Sequence, residues 1–200
     1  QILIVGDFDC DGATSTALMV RVLREMGARV DFLVPDRFKY GYGLTPAIAD
    51  LAFASFTPDL LITVDNGISS HDGVKQAQDH GMQVIITDHH LTTKPTPAAE
   101  AVVNPNQLGC EFPSKALAGV GVAFYVLANL STHRKKLGKS STVITNYLDL
   151  VALGTYADVA SLDYNNRILV DAGLKRIQQH LCRPGISALL EIAGRDAATL

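Results

Sequence analysis

The strongest constraint on this chain is a pattern that occurs three times, a short aliphatic run ending on a carboxylate. Ile2-Leu3-Ile4-Val5 leads into Gly6-Asp7-Phe8-Asp9-Cys10-Asp11-Gly12, Leu60 to Val64 leads into Asp65-Asn66-Gly67, and Val84-Ile85-Ile86 leads into Thr87-Asp88-His89-His90. Runs that are apolar at every position mark strands covered on both faces, as in a parallel sheet. The segments between them carry apolar residues at helical spacing, so β and α units alternate. The predicted fold is α/β, an open parallel sheet of about five strands with helices on both faces, followed by a helical C-terminal portion. In such a sheet the carboxyl ends of the strands form the edge where sites are built.

Those ends would gather Asp7, Asp9, Asp11, Asp65, Asp88, His89 and His90. Along an extended backbone Asp88 and His90 leave one face and His89 the other, until the chain bends past the strand end. Carboxylates brought within a few ångströms repel unless cations sit among them. Isolated Asp-Gly turns explain each run singly, but not their recurrence on three strands together with a histidine pair. The pattern predicts a divalent-metal site.

At this point the residues resemble a known family. Gly6 to Gly12, Val64-Asp65-Asn66-Gly67 and Asp88-His89-His90 are similar to the first three motifs of the DHH phosphoesterases. Arg37 to Leu44, Leu117 to Ala123 and Leu153 to Val159 narrow the resemblance to the RecJ-type single-stranded-DNA exonucleases. The resemblance covers essentially the whole chain, with the motifs in family order. It implies 5′-to-3′ exonuclease action on single-stranded DNA, in repair and recombination, with the strand or a single-stranded-DNA-binding protein or helicase as partners. It also implies a metal-binding aspartate at Asp158, and a further substrate-binding domain beyond this segment. One departure is Val5, which stands where many DHH enzymes carry a histidine; this turns the reading away from the pyrophosphatase branch and leaves Asp7 open between ligand and supporting group.

Composition agrees with a cytoplasmic protein, and a monomer is expected. No apolar run approaches the ~18 residues of a membrane span, and Gln1 to Val5 has no basic signal-peptide region. Cys10, Cys110 and Cys182 are few and scattered, which predicts a reducing compartment; Cys10, between two candidate ligands, reads as a small filler. With 17 Lys and Arg against 20 Asp and Glu, the chain lacks the basic surplus of a stand-alone nucleic-acid binder.

Along the chain, helices are predicted over Ala13 to Met26, Ala47 to Phe56 (opened by Thr45-Pro46), His71 to His80, Leu117 to Leu130, Thr142 to Ala157, Arg167 to His180 and Ile186 to Ile192. Strands are predicted at Arg29 to Val34, Gln83 to Thr87 and Ala101 to Val103. Pro35 to Leu44 reads as a loop in which Arg37 and Lys39 interleave with Tyr40 and Tyr42, a pattern suited to a phosphate backbone with stacked bases. The basic run His133 to Ser140 reads as a solvated loop. Gly119 and Gly121 open a helix whose N–H groups either face a phosphate or simply pack closely. The DHH core is assigned to residues 1–160 and a helical extension to 161–200.

The expected chemistry is phosphoester hydrolysis with two Mn²⁺ (or Mg²⁺) ions. Asp9, Asp11, Asp65, His89 and Asp158 are the predicted ligands, with Asp7 as an additional candidate and Asp65 as the bridge. Asp88, His89, His90 and Asp65 form the predicted catalytic set. In it His90 faces substrate or assists proton transfer, and Asp88 orients a histidine unless it is itself a ligand. His90, Arg37, Tyr42, Gly119 and Gly121 are the substrate-binding candidates. Two alternatives remain: a phosphodiesterase of short oligonucleotides or cyclic dinucleotides, and a non-catalytic scaffold in a replication complex.

Overall fold

The computed structural model describes residues 1–199. Five strands, β1 (Ile2–Gly6), β2 (Val30–Leu33), β3 (Leu60–Val64), β4 (Gln83–Thr87) and β5 (Ala101–Val103), pair in parallel in the order β2-β1-β3-β4-β5. Their side chains divide by parity. Ile4, Ile62 and Val64 point into one apolar core, built with α1 (Cys10–Glu25), α5 (Gly119–Lys136), α6 (Leu148–Ala157), α7 (Tyr164–Gln178) and α8 (Pro184–Ile192). Leu3, Val5, Leu61, Val84 and Ile86 point into the other, under α3 (Pro46–Phe56) and α4 (His71–Asp79). The α/β sheet with helices on both faces is therefore the observed architecture, and its continuous aliphatic strands follow from being covered twice.

The order places β1 between β2 and β3. The connection from β1 to β2 runs over one face through α1 and that from β2 to β3 over the other through α3, which opens a crevice at the carboxyl ends of β1 and β3. Register sharpens this. Gly6 is level with Val64, Val64 with Thr87, and Thr87 with Val103. The next residue of each strand is thus Asp7, Asp65, Asp88 and Asn104, all leaving the sheet at one height.

Several boundaries differ from the sequence expectation, each for a local reason. The first helix starts at Cys10 rather than Ala13, because the Asp9 carboxylate caps it by accepting from the Gly12 N–H at 2.8 Å. This puts Asp11 inside the first turn. The Pro35 to Leu44 loop holds one helical turn, α2 (Arg37–Tyr40), capped by Asp36, which accepts from the Phe38 N–H at 2.9 Å. The first half of the basic run is helical, since α5 extends to Lys136, where cations are favoured by the negative end of the helix dipole. Only Leu148–Ala157 of the expected Thr142 to Ala157 helix is α-helical; a 3₁₀ turn at Ile144–Tyr147 precedes it. Cys10 is exposed, not a buried filler.

Helices α6 and α7 cross closely at Gly173, where an added Cβ would lie 2.2 Å from the Leu148 carbonyl oxygen and 2.5 Å from Ala152 Cβ. Gly173→Ala must push the helices apart and is expected to cost roughly 1–3 kcal/mol. Urea denaturation measures this, and unchanged stability would show that the crossing is not tight.

Candidate active site

The cluster begins at the end of β1. Asp7 accepts from the Phe8 N–H at 2.7 Å, and Asp9 caps α1. Asp11 is 1% exposed, and its two oxygens accept from the backbone N–H groups of Gly119 at 2.6 Å and Val120 at 2.9 Å. A helix N-terminus, α5, thus holds a carboxylate of the chain itself. The Gly119 N–H is therefore engaged by Asp11 and does not face an external phosphate. The glycine is required for a different reason, since a Cβ there would come within 2.6 Å of Asp65 Oδ1. Gly121 is buried, with a Cβ position 2.9 Å from the Leu117 side chain, so it serves packing and is not brought to the cluster.

Asp65, 2% exposed, follows β3 in a left-handed conformation with φ 62°, which costs a residue with a side chain energy that surrounding structure must supply. Asp88 is 1% exposed and fully engaged: it accepts from the Ile68 N–H at 2.8 Å, the His89 N–H at 2.7 Å, the His90 N–H at 3.1 Å and His90 Nδ1 at 2.7 Å. A carboxylate can only accept, so His90 Nδ1 carries the proton. This geometry makes Asp88 an orienting group. Asn104 and Asn106, which follow β5, donate to the carbonyls of His90 and His89 at 2.9 and 2.6 Å. The sequence places both in the turn after the Ala101–Val103 strand but assigns them no role; position is their one signal.

His89 Nε2 lies 3.1 Å from Asp65 Oδ1 and 3.9 Å from Asp11 Oδ2. The approach to Asp65 lacks hydrogen-bond geometry, so both atoms are buried without a hydrogen-bond partner, a costly state unless something else binds them. Among the described residues, three groups have ligand atoms within 4.8 Å of one another: Asp65, His89 and His90; Asp11, His89 and Asp158; and Asp7, Asp9 and Asp65. Asp65 and His89 each belong to two groups. Asp158 caps the C-terminus of α6 and is half-buried.

The titration of the cluster reflects this crowding. Burial pushes Asp65 up to about 7 and Asp11 up to about 6, against the pull of His89 and of the α5 N–H groups respectively. Burial opposes a charged His89, but Asp65, Asp11 and Asp158 outweigh it and push the ring up to about 9. Asp88 goes the other way: burial alone would raise it, but the hydrogen bond and charge of His90 together with the backbone N–H groups of Ile68 and His90 outweigh burial and hold it below the usual carboxylate range. Deprotonated carboxylates and neutral imidazole are what a hard or borderline divalent cation requires, and the orphaned Asp65 and His89 atoms fit such an ion.

A wall of aromatic and cationic groups borders the cluster. The Arg37 guanidinium lies 3.7 Å above the Phe8 ring, 5.4 Å from the Tyr42 ring, and 3.4 Å from Asp7. The Tyr42 hydroxyl is 3.2 Å from His90 Nε2. Arg37 and Tyr42 are thus brought to the site, joined by Phe8, which sequence reading did not single out. The Lys135-Lys136 pair is not, since it ends a helix (Gly119–Lys136) whose first turn binds Asp11, about 25 Å away at 1.5 Å per residue.

A sequence model described as the DHH family, N-terminal domain, matches residues 1–155. The chain is 56% identical to the single-stranded-DNA-specific exonuclease RecJ of Dickeya dadantii and 55% identical to that of Escherichia coli, in each case over 100% of the chain and 36% of the relative. It therefore spans about a third of the length of these relatives. A crystal structure of RecJ from Thermus thermophilus in complex with Mn²⁺ superposes with a TM-score of 0.78 at 35% identity, over 98% of this chain and 27% of that one. With its motif carboxylates and histidines converging on one rim, the chain belongs to the DHH family.

Proposed function

We propose that this chain is the hydrolytic core of a metal-dependent exonuclease that removes nucleotides from the 5′ end of single-stranded DNA. The observation that carries the reading is the convergence of Asp7, Asp9, Asp11, Asp65, His89, His90 and Asp158 into three overlapping donor groups. The names of the relatives supply the substrate. We assign residues 1–160 to the catalytic core and 161–200 to a helical extension leading towards a substrate-binding domain. The three unpaired cysteines support a reducing, cytoplasmic setting, and among the described residues no helix is long and apolar enough to cross a membrane.

Asp9, Asp11, Asp65, His89 and Asp158, with Asp7, would hold two divalent ions, Mn²⁺ or Mg²⁺. When bound, such ions supply Lewis acidity, acidifying a water and offsetting charge on the phosphoryl oxygens. The protein does the positioning. Asp11 is fixed by the start of α5, and Asp88 fixes the His90 ring with its Nδ1 proton inward. The Asp88 hydrogen bond raises the pKa of His90 against the opposing effect of burial, which favours a ring able to donate from Nε2 to a phosphate oxygen. Tyr42, the present partner of Nε2, gives way to that oxygen. Arg37, held over the Phe8 ring, is placed to pair with a second phosphate, and the Tyr42 ring to stack against a base.

The reading is tested with the intact protein on 5′-labelled single strands, duplexes and dinucleotides with Mn²⁺. Release of nucleotides from single strands alone is expected; preference for dinucleotides would favour an oligonucleotide phosphodiesterase. Asp65→Asn is expected to lower kcat at least about 100-fold, and near-normal turnover would remove Asp65 from the machinery. Arg37→Ala is expected to raise KM for the strand about tenfold with little change in kcat; the reverse split would place Arg37 in the chemical step.

Linkage gives a pH prediction. Asp65 and Asp11 titrate above their unfolded value of 3.8, at about 7 and about 6. The stability their protonation contributes is present below pH 3.8 and lost as pH rises through 6 to 7. His89 titrates above its unfolded value of 6.5, at about 9, so its contribution is present below pH 6.5 and lost as pH rises through 9. All three make the metal-free site less favourable as pH rises, while an ion competes with their protons. Stabilisation by saturating Mn²⁺ is thus expected to be larger at pH 8.5 than at pH 6, at about 2–4 °C in Tm per kcal/mol. Equal shifts at both pH values would contradict it.

A further inference from the structure

The backbone of the His89-His90 pair lies outside any helix or strand, yet none of its four polar groups is left to solvent or chance. Both N–H groups donate to Asp88 Oδ1, at 2.7 and 3.1 Å. The His90 carbonyl accepts from Asn104 Nδ2 at 2.9 Å, and the His89 carbonyl from Asn106 Nδ2 at 2.6 Å. The two asparagines are themselves joined, because Asn104 Oδ1 accepts from the Asn106 N–H at 2.7 Å. Asn104 is 1% exposed and leaves β5 level with Asp88 leaving β4, where the Asp88 N–H donates to the Val103 carbonyl at 3.1 Å. Asn106 also donates to the Lys115 carbonyl at 3.2 Å, tying the assembly to the segment that leads into α5.

We infer that Asn104 and Asn106 are positioning residues for the metal site: by gripping the carbonyls of the histidine pair they set where His89 Nε2 points. The need for such a grip follows from the position of His89. Its Nε2 must meet Asp65 and Asp11, which arrive from other elements, and no regular secondary structure limits its backbone. An amide is the side chain suited to this task, since it donates to a carbonyl and accepts from an N–H at once. Aspartate in the same place would set a carboxylate against a carbonyl oxygen. Outer groups that orient a ligand commonly govern metal affinity by 10–100-fold.

This inference rests on the metal reading of the cluster, and the test separates the two. Mn²⁺ dissociation constants are measured by electron paramagnetic resonance and calorimetry on the intact protein and on Asn106→Asp, Asn104→Asp and Gln107→Ala. Gln107 lies in the same loop but donates to the Val102 carbonyl instead. Asn106→Asp is expected to weaken Mn²⁺ binding about 10–100-fold, with the metal-free Tm within about 3 °C of the parent, while Gln107→Ala leaves affinity unchanged. If buried Asn104→Asp fails to fold, the half-buried Asn106 position still decides. Parental affinity in Asn106→Asp, or equal weakening in Gln107→Ala, would overturn the inference. Absence of Mn²⁺ binding by the parent protein would instead remove the metal reading, and the inference with it.

Discussion

Carboxylates of like charge, driven to one height by strand register, are the constraint on which the rest of this structure depends. Gly6, Val64 and Thr87 stand abreast, so Asp7, Asp65 and Asp88 cannot avoid one another, and Asp9 and Asp11 follow within a turn. Burial in low dielectric makes such a gathering more expensive than it would be in water. The chain relieves only part of it. Some carboxylates are neutralised internally: Asp11 by the first N–H groups of α5, and Asp88 by three backbone N–H groups and His90. Asp65 has an oxygen that finds no hydrogen bond and only the His89 ring 3.1 Å away to offset its charge, and it sits where two of the donor groups overlap.

For Asp88 and Asp65 this division separates a supporting group from a candidate ligand without reference to sequence motifs; Asp11, held by α5 yet still pushed up to about 6 and part of a donor group, shares both characters. Asp88 and Asp65 occupy equivalent places after neighbouring strands, yet their titration moves in opposite directions. The difference lies in hydrogen bonds: Asp88 is surrounded by donors, whereas Asp65 faces His89 and other acids. A group whose charged form is already satisfied positions its neighbours, and one whose charged form is not satisfied is available to an ion. The left-handed backbone of Asp65 is consistent with that availability, since it holds the carboxylate at the crevice at some conformational expense.

The sheet and the first members of the site were legible in the sequence for a simple reason. Aliphatic runs specify strands, and the residue after each run is delivered to the edge whatever the tertiary detail. Asp7, Asp65, Asp88 and His89 follow from that logic. What was not legible depends on contacts distant in sequence. That Gly119 serves Asp11 and Asp65, rather than an external phosphate, follows only from where α5 begins relative to β1 and β3. Phe8 carries Arg37 through a ring contact 29 positions apart, which no local pattern encodes. Asn104 and Asn106 resemble ordinary turn residues after a strand until the register places them beside the histidine pair. The helix ends were missed where capping decided them, as at Asp9 and Asp36, because a cap competes with the apolar periodicity that set the expected boundary.

The central claim is that these acids and His89 form one site for two divalent ions with Asp65 between them. Anomalous diffraction from crystals of the Mn²⁺-loaded protein tests it most directly. The account predicts two anomalous peaks, both within coordinating reach of Asp65, one also reaching His89 and the other Asp7 or Asp9. A single peak away from Asp65, or manganese bound elsewhere on the surface, would contradict it.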